Sequence, residues 1–255
     1  MGEPFTTFCN KLDSLFGGYQ KGKLLHIYGE AKTGKTTLAW YIPTISMFKC
    51  LSESKKLPKH GRFILISTDG GFEVSRWQQL CEVHNVPFDE LWKRSLVIET
   101  MDFSTQYKTV VYDLPSHIQS ENIKPLLVTL DPATISYREM WKDVKQKDVL
   151  LVARELVPKL EAQLIMLLRF ARQYNCVSIV TNIKRRFKGF KTENRSKYDF
   201  YGGHSFAYLP YCCLRLERED VYSNIVTVTN VFHRSSKPSE QIKVLLTEKG
   251  FREVK

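Results

Sequence analysis

The segment Gly29–Thr36, GEAKTGKT, constrains the fold of this chain more than any other stretch. It satisfies G-x-x-x-x-G-K-[ST] and lies between an apolar run, LLHIYG at Leu24–Gly29, and a helical-looking stretch at Thr36–Phe48. Strand, loop and helix in that order build a cradle. The glycines let the backbone turn tightly, successive N–H groups point at phosphate oxygens, and the helix adds its positive dipole end. Gly29, Glu30, Ala31, Lys32, Thr33 and Gly34 supply the cradle, Lys35 reaches the β- and γ-phosphates, Thr36 places its hydroxyl on Mg²⁺, and Thr37 continues into the helix. ATP and Mg²⁺ are the expected ligands. A glycine-rich turn without a ligand is the bland alternative, and the register of strand, loop and helix weighs against it.

Further apolar runs recur at Phe63–Thr68, Ser95–Thr100, Leu126–Asp131 and Val177–Asn182, and they suit strands buried on both faces. Helical patterns at Glu73–His84 and Val157–Tyr174 alternate with them; the second carries Leu160, Leu164, Leu167, Leu168 and Ala171 at helical spacing. The expected fold class is α/β, a mostly parallel sheet flanked by helices. Beyond Tyr201 the runs YLPYCCLRLER, NIVTVTNVFHR and QIKVLLTEKGFREV read as consecutive strands extending one edge antiparallel. With 255 residues and no evident linker, a single domain over 1–255 is expected.

Strand ends supply the acids such a cradle needs. Asp131 closes LLVTLD and is the candidate magnesium partner, although an Asp opening the turn before Pro132 reads the same way. Asp69 in STDGGF lies at the carboxyl end of another strand, where ligands bind in open α/β sheets; it is the candidate water-positioning carboxylate, with a turn-forming Asp as the equal alternative. The segment Lys184–Asp199 has no hydrophobic period and reads as a long loop. It carries Lys184, Arg185, Arg186, Lys188, Lys191, Arg195 and Lys197, with Phe187, Phe190, Tyr198, Phe200 and Tyr201 in it or just beyond. Cations neutralise phosphates and aromatics stack on unpaired bases, so the interleaving points to single-stranded DNA. A net charge of +11 agrees with a polyanionic partner. No apolar run reaches the roughly 20 residues that span a bilayer, and no signal peptide opens the chain, so a cytoplasmic location without membrane association is expected. The six cysteines show no metal-binding spacing and read as mostly buried thiols.

These phrases also carry a family resemblance. FCNKLDSLFGGYQKGKLLHIYGEAKTGKT resembles the opening of the RecA/RadA recombinase core, STDGGF with Arg76 resembles a phrase of archaeal RadB-type paralogues, and LDPATISYRE and YGGHSFAYLPYCCLRLER resemble later phrases of the same group. The matches run in order from Phe8 to Phe251. The resemblance implies a RecA-like P-loop ATPase core in which Lys35 and Thr36 hold nucleotide and metal, Asp131 is the Walker B acid, and Lys184–Asp199 is the second DNA loop. It also implies work in homologous recombination and DNA repair, beside the main recombinase or other paralogues. His233 and Arg234 fall where related cores approach a nucleotide, so Arg234 is a candidate contact to it.

Departures from that pattern set further expectations. Asp69 stands where the family has Glu, one methylene longer, which predicts slow hydrolysis. Ile183 stands where recombinases carry a Gln that links γ-phosphate to the DNA loop, which predicts weak coupling. Only a short segment precedes Leu12, without a helix-hairpin-helix domain or an aromatic-x-x-Ala tether, so the expectation is an assisting paralogue. The competing readings are a KaiC-like switch acting on protein partners and a structural subunit that holds ATP without turning it over.

Overall fold

The structure, a computed structural model, describes residues 3–185, 199–220, 222–233 and 239–254. Helix α1 (Asn10–Phe16) ends at Gly17, in the left-handed region at φ 79°, and strand β1 (Lys23–Gly29) follows with only Lys23 exposed. The chain becomes helical at Lys35, passes a π turn at Thr37–Tyr41 and continues as α2 (Ile42–Glu53). Then come β2 (Gly61–Ser67), α3 (Val74–Val83), α4 (Phe88–Lys93) and β3 (Ser95–Glu99). Helix α5 (Phe103–Lys108), a second π turn (Thr109–Asp113) and α6 (Leu114–Ser120) lead to β4 (Lys124–Asp131). After α7 (Ile135–Glu139), the long α8 (Val149–Tyr174) and β5 (Val177–Ile183), a short α9 (Ser205–Tyr208) precedes β6 (Cys212–Arg218), β7 (Ile225–His233), β8 (Glu240–Thr247) and β9 (Gly250–Glu253).

Among the described residues the nine strands form one sheet in the order β3-β2-β4-β5-β1-β6-β7-β8-β9. The pairs from β3 through β6 are parallel and the remaining three are antiparallel, so the expected α/β architecture is present. Successive residues of β1 serve opposite layers: Leu25 and Ile27 pack with Trp40 and Trp77, whereas Leu24 and Tyr28 pack with the α8 side of the core.

Three details differ from the sequence reading. Strand β6 runs parallel to β1, with Leu25 opposite Cys212, because the chain between β5 and β6 returns to the start of the sheet; the antiparallel part begins at β7. The run QIKVLLTEKGFREV is two strands, turned at Glu248 and Lys249 with Gly250 at φ 86°. Helix α8 begins at Val149, ahead of the expected Val157. Its first turns are invisible to periodicity because Leu150 and Leu151 are 74% and 70% exposed and the buried stripe starts only at Leu156.

Both π turns precede a proline, Pro43 and Pro115. Proline lacks the N–H that would close the next α-type bond and crowds the carbonyl four residues back, and widening the preceding turn relieves both. Five cysteines are buried and Cys50 is exposed, with Cys212 and Cys213 on the core strand β6. Among the described residues no helix is long and apolar enough to cross a membrane.

Candidate functional site

The carboxyl ends of β1, β2, β4 and β5 converge on a cavity of about 760 Å³. Ala31, Lys32, Gly34, Lys35, Thr36 and Thr37 line it from the loop and the helix that follows, with Asp69 and Asp131 from two other strand ends. Gly29, Glu30 and Thr33 frame the loop. The Thr33 hydroxyl donates to Glu30 O at 2.9 Å, and a Cβ on Gly29 would lie 2.2 Å from Leu216 O. Gly34 holds φ 88°, and a Cβ there would lie 2.8 Å from the Phe251 ring, so β9 presses on the loop where only glycine fits.

Lys35 is not the solvent-facing charge that an open loop suggests. Its Nζ folds back to donate to Glu30 O at 2.6 Å. Burial pushes its pKa below the ordinary lysine value, and the carboxylates of Asp131, Asp69 and Glu30 act in the opposite direction. Asp131 is buried at the end of β4. Thr36 Oγ1 donates to its Oδ2 at 2.6 Å, and the Thr181 hydroxyl from β5 donates to its Oδ1. Burial pushes the Asp131 carboxyl up from its ordinary value, and the two hydroxyls pull it back. A hydroxyl, a buried carboxylate and a lysine at the mouth of a glycine loop fit a hard cation held together with phosphates. Sequence reasoning missed Thr181; the signal was a polar residue near the end of an apolar strand, and only the parallel pairing of β4 with β5 sets it beside Asp131.

Asp69 occupies the turn after β2, exposed, with Oδ1 accepting from Gly71 N at 2.9 Å. The turn-forming role is therefore present, and the same residue lines the cavity. Glu73, Arg76 and Arg138 complete the cationic and acidic wall, and Ile183 and Leu246 add apolar surface. Arg76 is fixed by donating to Thr247 O and Glu248 O, both at 2.7 Å, which ties α3 to the β8–β9 turn.

The ends of the basic segment meet beside this cavity. Lys184 and Phe200 form an antiparallel bridge, and Arg185 N donates to Asp199 O at 2.7 Å. Lys184 is not an open phosphate ligand: its ammonium pairs with Glu217, which also meets Arg215 Nε at 3.0 Å. Phe200 is not a base-stacking surface either, being 1% exposed and packed against His26, Tyr28 and Phe206. Arg185 is exposed and lies 6.0 Å over the Tyr201 ring. Arg186, Phe187, Lys188, Phe190, Lys191, Arg195, Lys197 and Tyr198 lie outside the described residues, as does Arg234.

A sequence model of the Rad51 family matches residues 4–253. The chain belongs to the Rad51 family. It is a RadB-like member of the RecA/RadA superfamily. It is 32% identical over 179 residues to the DNA repair and recombination protein RadB of Thermococcus sibiricus, covering 69% of this chain and 66% of that one. It is 28% identical to the RadB of Pyrococcus furiosus over 99% of this chain and 97% of that one. A crystal structure of the RadB recombinase superposes with a TM-score of 0.73 at 25% identity, covering 98% of this chain and all of the other. In this Rad51-family chain the resemblance read from GEAKTGKT, STDGGF and LDPATISYRE thus extends over the whole fold.

Proposed function

We propose that this chain binds ATP with Mg²⁺, hydrolyses it slowly, and engages single-stranded DNA in support of recombination and repair beside a recombinase or another paralogue. The observation that carries the reading is the hydrogen bond from Thr36 Oγ1 to Asp131 Oδ2 at 2.6 Å, beside Lys35 and above a glycine loop. In this reading Lys35 leaves Glu30 O for the phosphates, Thr36 and Asp131 hold the metal, and Asp69 orients the attacking water. Bound magnesium supplies charge neutralisation across the β- and γ-phosphates. The names of the RadB relatives support the DNA role, members of the family being ATPases supports the chemistry, and the basic segment after β5 is the assigned DNA contact. A cytoplasmic location follows from that role.

Asp69 favours a second reading, a subunit that holds ATP without turning it over, because its carboxylate is engaged by Gly71 N. Titration with a fluorescent ATP analogue, with turnover followed in the presence and absence of single-stranded DNA, separates the two. Wild type is expected to bind Mg·ATP and Lys35→Ala to lose that binding while its nucleotide-free melting point stays within a few degrees. Equal affinity in the two proteins overturns the nucleotide site, and tight binding with zero turnover selects the second reading.

A further inference from the structure

The end of the sheet opposite the nucleotide cavity gathers cations that lack acidic partners among the described residues. Lys124 opens β4, and its N donates to His60 O at 2.9 Å just ahead of β2, where Gly61 stands in register with Lys124. Arg94 precedes β3, accepts from Phe63 N at 2.9 Å through its carbonyl, and donates from its guanidinium to Pro58 O at 2.9 Å. Three adjacent strands therefore have a basic residue at or next to their start, Lys124 opening β4, Arg62 second in β2 and Arg94 just ahead of β3, with Lys56 and Lys59 before β2 and Lys93 at the end of α4 close by in the chain. Lys56, Lys59, Lys93 and Lys124 are exposed.

Among the described residues none of these six cations, Lys56, Lys59, Arg62, Lys93, Arg94 and Lys124, forms an ion pair. Elsewhere the same chain does pair its lysines, as in Lys159 with Glu155 at 2.8 Å and Lys243 with Glu219. Like charges gathered at one end of a sheet without ion pairs repel, and a polyanion relieves that cost. Pairing of β3, β2 and β4 brings the starts of these strands side by side, about 4.8 Å apart, so that the cations before and at those starts share one end of the sheet. Trp92 beside Lys93 is 42% exposed, with its ring also packed on Trp77 and Phe88, and one partly exposed ring falls short of the run of platforms that a string of unpaired bases stacks on. Phosphates are the better match.

We propose that this end of the sheet is a second polyanion site that takes the phosphate backbone of duplex DNA. It lies a full strand length, roughly 23 Å at the usual rise, from Asp131. It does not depend on the ATP or single-strand reading.

The test is fluorescence anisotropy with a labelled, sequence-neutral duplex across a salt titration, comparing wild type with the quadruple variant Lys56→Gln, Lys59→Gln, Lys93→Gln and Lys124→Gln. All four side chains are exposed, and melting of the variant checks that the fold is kept. Duplex affinity should fall for every sequence, with the slope of log K against log salt reduced by about 0.9 for each phosphate that is no longer neutralised. A milder variant, Lys93→Gln with Lys124→Gln, should fall between. Affinity for single-stranded DNA and for Mg·ATP, measured on the same preparations, should stay at the wild-type values. The proposal is overturned if wild type binds no duplex, if the variant keeps the wild-type duplex affinity and slope, or if duplex and single-strand binding weaken together. Loss of binding to an acidic peptide with duplex binding intact overturns it too, and assigns the patch to a protein partner.

Discussion

Asp69 builds a turn and, in the proposed reading, must also orient a water with the same short side chain. Its Oδ1 accepts from Gly71 N, which builds the turn, and the same residue lines the cavity behind the glycine loop. A general base must come within hydrogen-bond reach of its water, so one methylene decides whether both duties are met. Asp69→Glu is expected to raise the turnover number for ATP while leaving ATP affinity near its wild-type value. A rate that stays level or drops would remove Asp69 from the water-positioning role. Lys35 teaches the converse lesson: the motif carries the expectation that it reaches phosphates, while its bond to Glu30 O is a property of the folded loop. Thr181 shows the limit of motif reading, since nothing in VSIVTN marks which polar residue will face Asp131.

The helix behind the phosphate loop does more than present its N-terminus. The π turn at Thr37–Tyr41, forced by Pro43, sets Tyr41 so that its hydroxyl accepts from Glu73 N at 2.9 Å and its ring lies 6.1 Å from Phe72. The element that ends the phosphate loop thereby holds the turn that carries Asp69. Burial pushes the Tyr41 hydroxyl up to about 12, so it stays protonated through the neutral range. One such bond is worth about 1 kcal/mol. Tyr41→Phe should lower the turnover number roughly threefold to tenfold, the equivalent of that bond, with the Kd for ATP little changed. A lower melting point with unaltered turnover per folded molecule would assign Tyr41 to packing alone.

On the scale of the whole molecule, the base of the basic segment is built into the sheet. Tyr28 of β1 donates to Asp199 at 2.7 Å, Asp199 meets Arg215 of β6 at 3.4 Å, and Arg215 and Lys184 share Glu217. Asn182 at the end of β5 accepts from Thr134, next to the Asp131 strand end, and donates to Tyr201 O at 2.8 Å. With Lys184 and Phe200 engaged in this frame, the proposed single-strand binding would rest on Arg185 and the basic residues that follow it in the sequence. Replacing Arg185 and Arg186 with alanine should weaken binding on any sequence and lower the salt slope by about 0.7 for each phosphate left without its cation. Replacing Phe187 and Phe190 instead should cost about 1 to 3 kcal/mol per missing stack with the slope unchanged. Wild-type behaviour of both double variants across the salt titration would move the single-strand site elsewhere.

Local chemistry made much of this legible from sequence. The glycine loop, the apolar strands and Asp131 at a strand end follow from spacing and composition, because backbone approach to phosphate and burial on both faces each demand particular residue types over short distances. What only the tertiary structure decided is which distant residues share a place. The return of the chain to pair β6 parallel with β1, the press of Phe251 on Gly34, the Thr181 bond to Asp131 and the gathering of cations at the start of β2, β3 and β4 all join segments far apart in the chain. No local pattern encodes such a meeting, since it is set by strand order and register, and those are chosen by the packing of the whole sheet against its two helical layers.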